Sequence, residues 1–452
     1  METRRGLAVG LVLTVTMFAF EALGVATVLP SARDELGGLW LYGWAFSAFT
    51  LADLLGITVA GRWADRRGPA SPYSVGMVLF AAGLVVAGAA PSMPALVLGR
   101  AVQGLGAGAV ASVVYVSLGR TFDDAGRARM LAWLSTAWVL PGLVGPAISG
   151  AVAEHLTWRL AFIGILPVLG IATVLTLPSL RRLGPPPEPA THDEASPTAG
   201  AVRLVIGAGL ALSGLGNPNP VVAIALFGAG LAIGVPALSR LLPPGTLRAA
   251  AGLPAAVATR GLLTFAYFGA QAFLTLALTD VRGQSLTAAG LTLTATTVAW
   301  TLGAWVQERR GLVWGWHRMV PAGFVLLAVG VAGLGLALLP SVPIAVAALA
   351  WAGAGFGMGI AFQSGTLMTL AAATPGREGS TSAGLQLADV LGVSLGAGVG
   401  GAAVGLGERA GWEPRAGIAL AFAACFVTAV LGIAASRHLP RRTTSDPAVP
   451  VP

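Results

Sequence analysis

Lysine is absent from this 452-residue chain, so all 27 of its basic residues are arginine. That absence excludes a P-loop lysine, a Schiff-base lysine and a Ser-x-x-Lys nucleophile. The single cysteine, Cys425, lies in an apolar run, which rules out an internal disulfide and a thiolate-based zinc site. The four histidines fall in predicted loops or at helix ends and do not pair as metal ligands. We therefore expect no metal, no cofactor and no enzymatic activity.

Charge is also scarce, because only 10% of the residues are charged, whereas soluble domains have about 25%. Hydrophobic residues make up 55% of the chain before its 63 glycines are counted. A soluble globule could not cover its surface with so few polar groups, and a disordered chain would be far less apolar. The composition therefore predicts a polytopic membrane protein whose outer surface is solvated by lipid.

Apolar runs long enough to cross a bilayer recur along the chain and predict an all-α fold. A proline-containing linker at 181–200 and two shorter runs, joined by the turn sequence Asn-Pro-Asn-Pro, separate the first six runs from the last six. We predict six-helix bundles at 1–180 and 243–436, an extra membrane hairpin at 201–242 and a tail at 437–452. The fourteen predicted spans are 6–29, 39–60, 72–90, 94–118, 130–152, 159–179, 201–216, 221–239, 254–279, 286–306, 319–339, 342–370, 382–406 and 416–436.

Arginine is distributed unevenly between the two sides of such a bundle. With the N-terminus inside, 21 arginines fall on the cytoplasmic side, five fall on the outer side, and Arg100 lies inside a span. This bias predicts that both termini are cytoplasmic. We expect the protein to lie in the cytoplasmic (inner) membrane of the cell. The net charge of +8 is then a topological signal, and we expect no nucleic-acid partner. A cleaved signal peptide at 1–29 is a competing interpretation, but the run is long for one and contains Glu21.

A first motif, Gly-Arg-Trp-Ala-Asp-Arg-Arg-Gly, follows the second span. It resembles the cytoplasmic loop signature of the major facilitator superfamily, with Trp63 in place of the usual leucine. The resemblance implies a gate whose acid pairs with the other half of the protein and releases when the halves rock. Solvated loop charges that only set the topology are the alternative. The predicted gate residues are Gly61, Asp65, Arg66, Arg67 and Gly68.

A related sequence, Glu-Arg-Arg-Gly, begins at Glu308 after the second span of the last six. Both sequences lie at a predicted cytoplasmic helix exit, 243 residues apart. Acid-Arg-Arg-Gly alone is a weak match, but its recurrence at equivalent points suggests duplicated halves, as in many transporters.

A second motif, Arg-x-x-Gln-Gly, begins at Arg100 and resembles the fourth-helix signature of the same superfamily. An arginine several residues inside a span needs a partner or water, and Glu21, deep in the first span, is the natural candidate. A carboxylate that exchanges a proton for an arginine contact would act as a proton switch. Proton-coupled members of the superfamily similarly implicate a first-helix acid and this arginine. A purely structural buried pair is the alternative.

Two further acids lie inside predicted spans, Asp53 in the second and Asp389 in the penultimate one. Because a carboxylate in lipid is costly, we predict that both take part in proton coupling with Glu21 and Arg100. A hydrogen-bonded packing role is the alternative. Some fourteen-helix drug–proton antiporters similarly carry an acid in the penultimate helix. Four glutamines are candidates for lining the substrate cavity or for bonds between helices; they are Gln103, Gln271, Gln363 and Gln386.

A third motif, Pro-Gly-Leu-Val-Gly-Pro-Ala-Ile-Ser-Gly, lies in the fifth span. It resembles the Gly-Pro-x-x-Gly-Gly signature of the antiporter branch, with Ser149 in place of the first paired glycine. The resemblance implies export rather than uptake, whereas plain close packing of glycine and proline is the alternative. The motif residues are Gly142, Gly145, Pro146 and Gly150.

The complete layout resembles the fourteen-helix drug–proton antiporter family of the major facilitator superfamily. The resemblance implies a proton-coupled antiporter that exports small amphipathic compounds, cations included, by alternating access in a lipid bilayer. We expect it to act as a monomer. An exporter of a lipid or other endogenous metabolite on the same fold is one alternative, and a non-transporting membrane receptor or scaffold is another.

Overall fold

The computed structural model describes residues 2–122, 126, 129–130, 133–134, 136–184, 197–372 and 378–440. All regular elements within these residues are helical, which confirms the predicted all-α membrane fold. The first six helices are α1 Glu2–Leu36, α2 Trp44–Arg67, α3 Ala70–Gly88, α4 Met93–Thr121, α5 Val139–His155 and α6 Leu166–Leu183. The hairpin is α7 Pro197–Leu215 and α8 Pro220–Leu241. The last six are α9 Leu253–Leu276, α10 Leu286–Trp314, α11 Trp316–Ala337, α12 Ala345–Ala371, α13 Glu378–Arg409 and α14 Pro414–Ala435.

Each of the fourteen predicted spans overlaps one of these helices. Within the described residues, twelve helices are long and apolar enough to cross a membrane by length and composition. The other two are α5, which has 17 residues, and the threonine-rich α10. The start of the predicted fifth span, most of the linker and most of the tail lie outside the described residues.

Proline and glycine set many of the helix boundaries. Proline stands in the first turn of α4, α6, α8, α9 and α14, where its missing N–H leaves no hydrogen bond unmade. Asn219 caps α8, because its side chain accepts hydrogen bonds from the amides of Val221 and Val222. Gly68 ends α2 with a φ of 84°, a conformation that favours glycine.

The hairpin lies outside both six-helix sets and touches both of them. Helix α7 packs against α2 of the first set and α13 of the second, whereas α8 packs against α7 and is otherwise largely exposed. Arg62 of α2 donates a hydrogen bond to the Thr198 hydroxyl at 3.2 Å, and Arg409 of α13 donates one to the Gly216 carbonyl at 2.8 Å. Helix α7 therefore bridges the two sets along one side of the protein.

The bundle has two faces, which we call the terminal face, where α1 begins and α14 ends, and the far face at the opposite ends of the helices. The arginine bias predicts that the terminal face is cytoplasmic. An ion pair between Arg33 and Asp280 joins the two sets at the far face. There the Thr287 hydroxyl also donates to the Glu154 carboxylate at 2.8 Å. The Ser47 hydroxyl, three residues after α2 begins, also donates to the Ser394 carbonyl of α13 at 2.8 Å. The halves are therefore closed together at the far face.

Candidate functional site

Glu21 and Arg100 form an ion pair in the interior of the first six helices, as the sequence analysis predicted. Their side chains are only 1% and 4% exposed. Arg100 Nη1 also donates to Gln103 Oε1 at 2.9 Å, and Gln103 Nε2 donates to Glu21 Oε1 at 2.9 Å. Arg100 Nε donates to the Ala45 carbonyl at 3.0 Å, and its Cζ lies 4.2 Å from the centre of the Phe49 ring. Each charge thus has a partner inside the helix bundle.

Glycines of α2 and α4 bring Arg100 to this position. A Cβ at Gly104 would overlap the backbone of Phe49, and one at Gly108 would overlap the Asp53 carbonyl. The small residues therefore allow the two helix backbones to approach closely. This approach carries the Arg100 guanidinium onto the ring of Phe49 and within reach of an α2 carbonyl.

One oxygen of the Glu21 carboxylate has no donor. Arg100 and Gln103 both bind Oε1, whereas Oε2 is buried and accepts no hydrogen bond from a residue that the structure describes. A buried acceptor without a donor costs free energy. Oε2 is therefore the atom that can take a proton without losing an existing contact.

A second ion pair, between Arg260 and Asp389, lies in the last six helices. Arg260 Nη1 also donates to the Phe362 carbonyl at 2.7 Å and to the Thr366 hydroxyl at 3.0 Å, and Arg260 Cζ lies 3.1 Å from the centre of the Phe362 ring. Arg260 is 5% exposed, but the Asp389 side chain is 24% exposed. This pair is thus partly open to the surroundings.

The position of Arg260 corrects the sequence analysis. The arginine tally counted this residue on the cytoplasmic side, whereas the structure buries it seven residues after α9 begins. At 1.5 Å per residue, that depth is about 10 Å along the helix. Asp389 holds the guanidinium inside the protein, so Arg260 is a second intramembrane arginine beside Arg100. Its place inside the predicted span 254–279 was the signal that could have revealed it.

Asp53 differs from the other two intramembrane acids. It lies four residues after Phe49 on α2, so both side chains are on the same helix face, with Asp53 nearer the terminal face. Asp53 is partly exposed and forms no ion pair within the described part of the chain. Glu21 and Asp389 each have an arginine. Asp53 is therefore an acid whose charge is uncompensated there.

Five aromatic side chains form a cluster in the last six helices that the sequence analysis did not single out. Tyr267 stacks on Trp351 with ring centres 5.0 Å apart, and Trp300 lies 5.3 Å from Tyr267 and 5.5 Å from Phe362. Phe268 completes the cluster. Aromatic residues in the middle of spans, rather than at their ends, were the available signal. Tyr267 and Trp351 are buried, but Phe268, Trp300 and Phe362 are partly exposed and offer apolar faces near the Arg260–Asp389 pair.

The predicted gate motif lies at the terminal face, where Asp65, Arg66 and Arg67 are exposed. Gly61 faces the Ser112 side chain of α4, and Gly68 ends the helix. The related sequence that begins at Glu308 differs, because α10 continues past it to Trp314. Asp65 forms no ion pair with a described residue, while the halves are closed at the other end. The gate role of the motif stays a prediction.

The predicted antiporter motif lies where the two six-helix sets meet. Three of its residues face α10: Gly142 is against Thr297, Pro146 is against Gly290, and Gly150 is against Leu286. Gly145 instead faces the Phe20 ring of α1. A Cβ at Gly290 would overlap the Pro146 carbonyl, so close contact between α5 and α10 requires a small residue there.

The four glutamines do not share one environment. Gln103 is fully buried in hydrogen bonds to Glu21 and Arg100, so it belongs to the ion-pair network. Gln271 of α9 is half-buried, and Gln363 of α12 and Gln386 of α13 are exposed. Their role in a substrate cavity stays a prediction.

Comparison with known proteins decides the family. The sequence model of the Major Facilitator Superfamily matches residues 9–397. This chain belongs to the major facilitator superfamily. It is therefore assigned to a family of transporters rather than of enzymes.

Relatives within this superfamily include drug-efflux proteins. The chain is 26% identical over 444 residues to a probable multidrug-efflux transporter of Mycobacterium tuberculosis, and the match covers 95% of this chain and 93% of the relative. It is 29% identical over 175 residues to a multidrug transporter protein of Bacillus subtilis, which covers 38% of this chain and 32% of the relative. As a superfamily member, the chain thus resembles drug-efflux transporters.

Solved structures share the fold. An auto-inhibited peptide transporter of the POT family superposes with a TM-score of 0.68 at 18% identity and covers 98% of this chain and 99% of its own. A bacterial homologue of the human lysosomal transporter Spinster, in an inward-facing and unoccupied conformation, gives a TM-score of 0.66 at 17% identity, covering 96% and 97%. At these identities the likeness concerns the fold alone.

Proposed function

We propose that this superfamily member is a proton-coupled antiporter that exports amphipathic, drug-like compounds across the cytoplasmic membrane by alternating access. The observation that carries the proposal is the network of Glu21, Arg100 and Gln103, which is sealed while the halves are closed at the far face. A carboxylate that is buried in one conformation and exposed in another can carry a proton between the two sides. The protein acts as a monomer with its terminal face toward the cytoplasm.

The charges of the network suggest the coupling step. When the far face opens, a proton from outside binds Glu21 Oε2 and removes the charge that holds Arg100. When the halves close again at that face, the proton leaves toward the cytoplasm and the ion pair returns to the arrangement seen here. Asp53, one turn beyond Phe49 toward the terminal face, lies in a position to pass the proton in that direction.

The side chains near the two ion pairs suggest the substrate class. The aromatic cluster around Trp300 offers flat apolar surfaces, and the uncompensated charge of Asp53 favours a cation. The names of the relatives, a probable multidrug-efflux transporter in Mycobacterium tuberculosis and a multidrug transporter protein in Bacillus subtilis, agree with an amphipathic substrate. Asp389 would join in proton coupling when its contact with Arg260 is released.

Inverted membrane vesicles with an acidified interior test the proposal. Addition of ethidium, an aromatic cation, should dissipate the pH gradient in vesicles that contain the protein, because each transported cation moves a proton out. We expect Glu21→Gln to reduce this dissipation to the rate of vesicles without the protein. The exposed Glu413, which pairs with Arg415, provides the matched control Glu413→Gln.

A folding defect must be separated from a coupling defect. Exchange of labelled for unlabelled ethidium without a pH gradient requires the substrate site and the rocking motion but no net proton movement. We expect Glu21→Gln, or the charge-neutral double variant Glu21→Gln/Arg100→Gln, to retain this exchange. Gradient-driven transport by Glu21→Gln at the wild-type rate would show that Glu21 is not the coupling residue.

A further inference from the structure

The guanidinium of Arg260 has unused hydrogen-bonding capacity. Its Nε binds Asp389 and its Nη1 binds Phe362 and Thr366, whereas Nη2 has no hydrogen-bond partner in the described part of the chain. A guanidinium offers five N–H donors in a planar fork, and two adjacent nitrogens can bind one carboxylate through both oxygens. Nη2 can therefore donate to a second acidic group, and a two-oxygen contact forms if that group also takes the place of Asp389 at Nε.

The surroundings of Arg260 make Nη2 reachable. The neighbouring Asp389 side chain is 24% exposed, and the Phe362 and Trp300 rings are partly exposed. The Phe362 ring lies against the guanidinium, and the centre of the Trp300 ring is 5.5 Å from the centre of the Phe362 ring. A ligand that reaches Asp389 thus meets a cation and two aromatic surfaces at one place.

We infer that Arg260 is the anion-binding residue of a subsite for aromatic carboxylates in the last six helices. The carboxylate of the ligand accepts a hydrogen bond from Nη2 and competes with Asp389 for Nε, while the flat ring of the ligand packs against Phe362 and Trp300. This inference rests on the proposed transport function, and it extends the proposed substrates to amphipathic compounds that carry a carboxylate. Asp389 opposes the ligand, because two carboxylates at one guanidinium repel each other.

In the first six helices Arg100 also has an Nη2 without a partner among the described residues and a ring, Phe49, against its guanidinium, but it lacks an exposed carboxylate partner. Arg100 is buried to the same degree, but its carboxylate partner Glu21 is only 1% exposed. Gln103 and Ala45 also accept hydrogen bonds from the Arg100 guanidinium. A ligand would have to break this sealed network before it could reach the cation, so the anion site belongs to Arg260 alone among these two arginines.

Binding to the purified full-length protein in detergent tests the inference without any transport step. The probes are dansylglycine, which carries a carboxylate, and dansylamide, which has the same fluorophore and no charge. We expect the wild type to bind dansylglycine more tightly than dansylamide. Asp389→Asn should tighten dansylglycine binding about tenfold, which corresponds to about 1.4 kcal/mol, and leave dansylamide unchanged.

The charge-neutral double variant Arg260→Gln/Asp389→Asn guards against misfolding, since it leaves no unpaired buried charge. We expect it to bind both dansyl probes with equal affinity. Weaker dansylglycine binding by Asp389→Asn, or wild-type preference for dansylglycine in the double variant, would overturn the inference. Because these outcomes concern binding alone, they are independent of whether Glu21 couples export to protons.

Discussion

The two six-helix sets each bury one arginine–carboxylate pair, but they enclose it differently. In the first set Glu21 and Arg100 are both nearly inaccessible, and Gln103 bridges them. In the second set Arg260 is equally buried, yet its partner Asp389 is 24% exposed. No glutamine among the described residues bridges this pair, and Arg260 also donates hydrogen bonds to Phe362 and Thr366. The same pair of charges is therefore sealed in one half and partly open in the other.

This difference suggests a division of labour. A sealed pair can change its charge only when the protein changes conformation, which is what coupling of a proton to rocking requires. A partly open pair can meet a ligand without that change. We therefore propose that Glu21 and Arg100 chiefly carry the proton-coupling step and that Arg260 and its neighbours recognise the ligand.

The largest expected effect is on stability, from removal of the sealed carboxylate. Glu21→Gln leaves the Arg100 charge buried without a counter-ion, which costs about 3–5 kcal/mol. We expect a clearly lowered melting temperature of the purified protein in detergent. The double variant Glu21→Gln/Arg100→Gln should recover most of the loss, because no unpaired charge remains. If the single and double variants have the same melting temperature, the unpaired Arg100 charge is not the cause of the lost stability.

The next prediction concerns the contact between α5 and α10 that helps close the far face, rather than the charges of Glu21 and Arg100. Gly290→Val places a side chain against the Pro146 carbonyl where α5 meets α10, and such overpacking costs about 1–3 kcal/mol. The penalty applies to the conformation closed at the far face, so we expect the open one to gain population. The rate at which an impermeant maleimide labels Ser47→Cys from the far side measures the population of the open conformation. The native Cys425 is buried and should not react. We expect labelling to accelerate about tenfold.

Gly335→Val is the matched control for this experiment. Gly335 also lies in a membrane helix, but a Cβ there meets no atom within 4 Å. We expect the labelling of Ser47→Cys to stay unchanged in that background. Equal acceleration by both valines would mean that the α5–α10 contact does not control the far face.

The extent of sequence-based prediction differs between the fold and the site. The fourteen helices could be predicted because apolar runs recur along the chain and are separated by proline, glycine or arginine. The Glu21–Arg100 pair could be predicted because both residues are isolated charges in apolar spans. Arg260 lies as far inside α9 as Arg100 lies inside α4, seven residues after each helix begins, but no motif marks it, so its place inside the predicted span 254–279 was overlooked. The aromatic cluster depends on ring contacts between three helices, α9, α10 and α12, which no local pattern contains.

A smaller stability change is expected from the partly open pair. Asp389→Asn also leaves an arginine without its carboxylate, but Arg260 keeps its bonds to Phe362 and Thr366 and can reach solvent past position 389. We expect a loss of about 1 kcal/mol, measured as a smaller drop in melting temperature than for Glu21→Gln. A drop as large as that of Glu21→Gln would remove the distinction between the two halves.

The smallest effect is expected at the far face, where Arg33 and Asp280 join the halves at the membrane surface. Both side chains are partly exposed, at 20% and 17%, and ion pairs of this kind contribute about 0–1 kcal/mol. Asp280→Asn should therefore raise the labelling rate of Ser47→Cys only about twofold. High salt should raise that rate to a similar extent in the protein that retains Arg33 and Asp280. Asp34→Asn is the control, because Asp34 also touches Arg33 but belongs to the same helix. A rise as large as that of Gly290→Val would instead make this ion pair, rather than helix packing, the main contact that keeps Glu21 sealed.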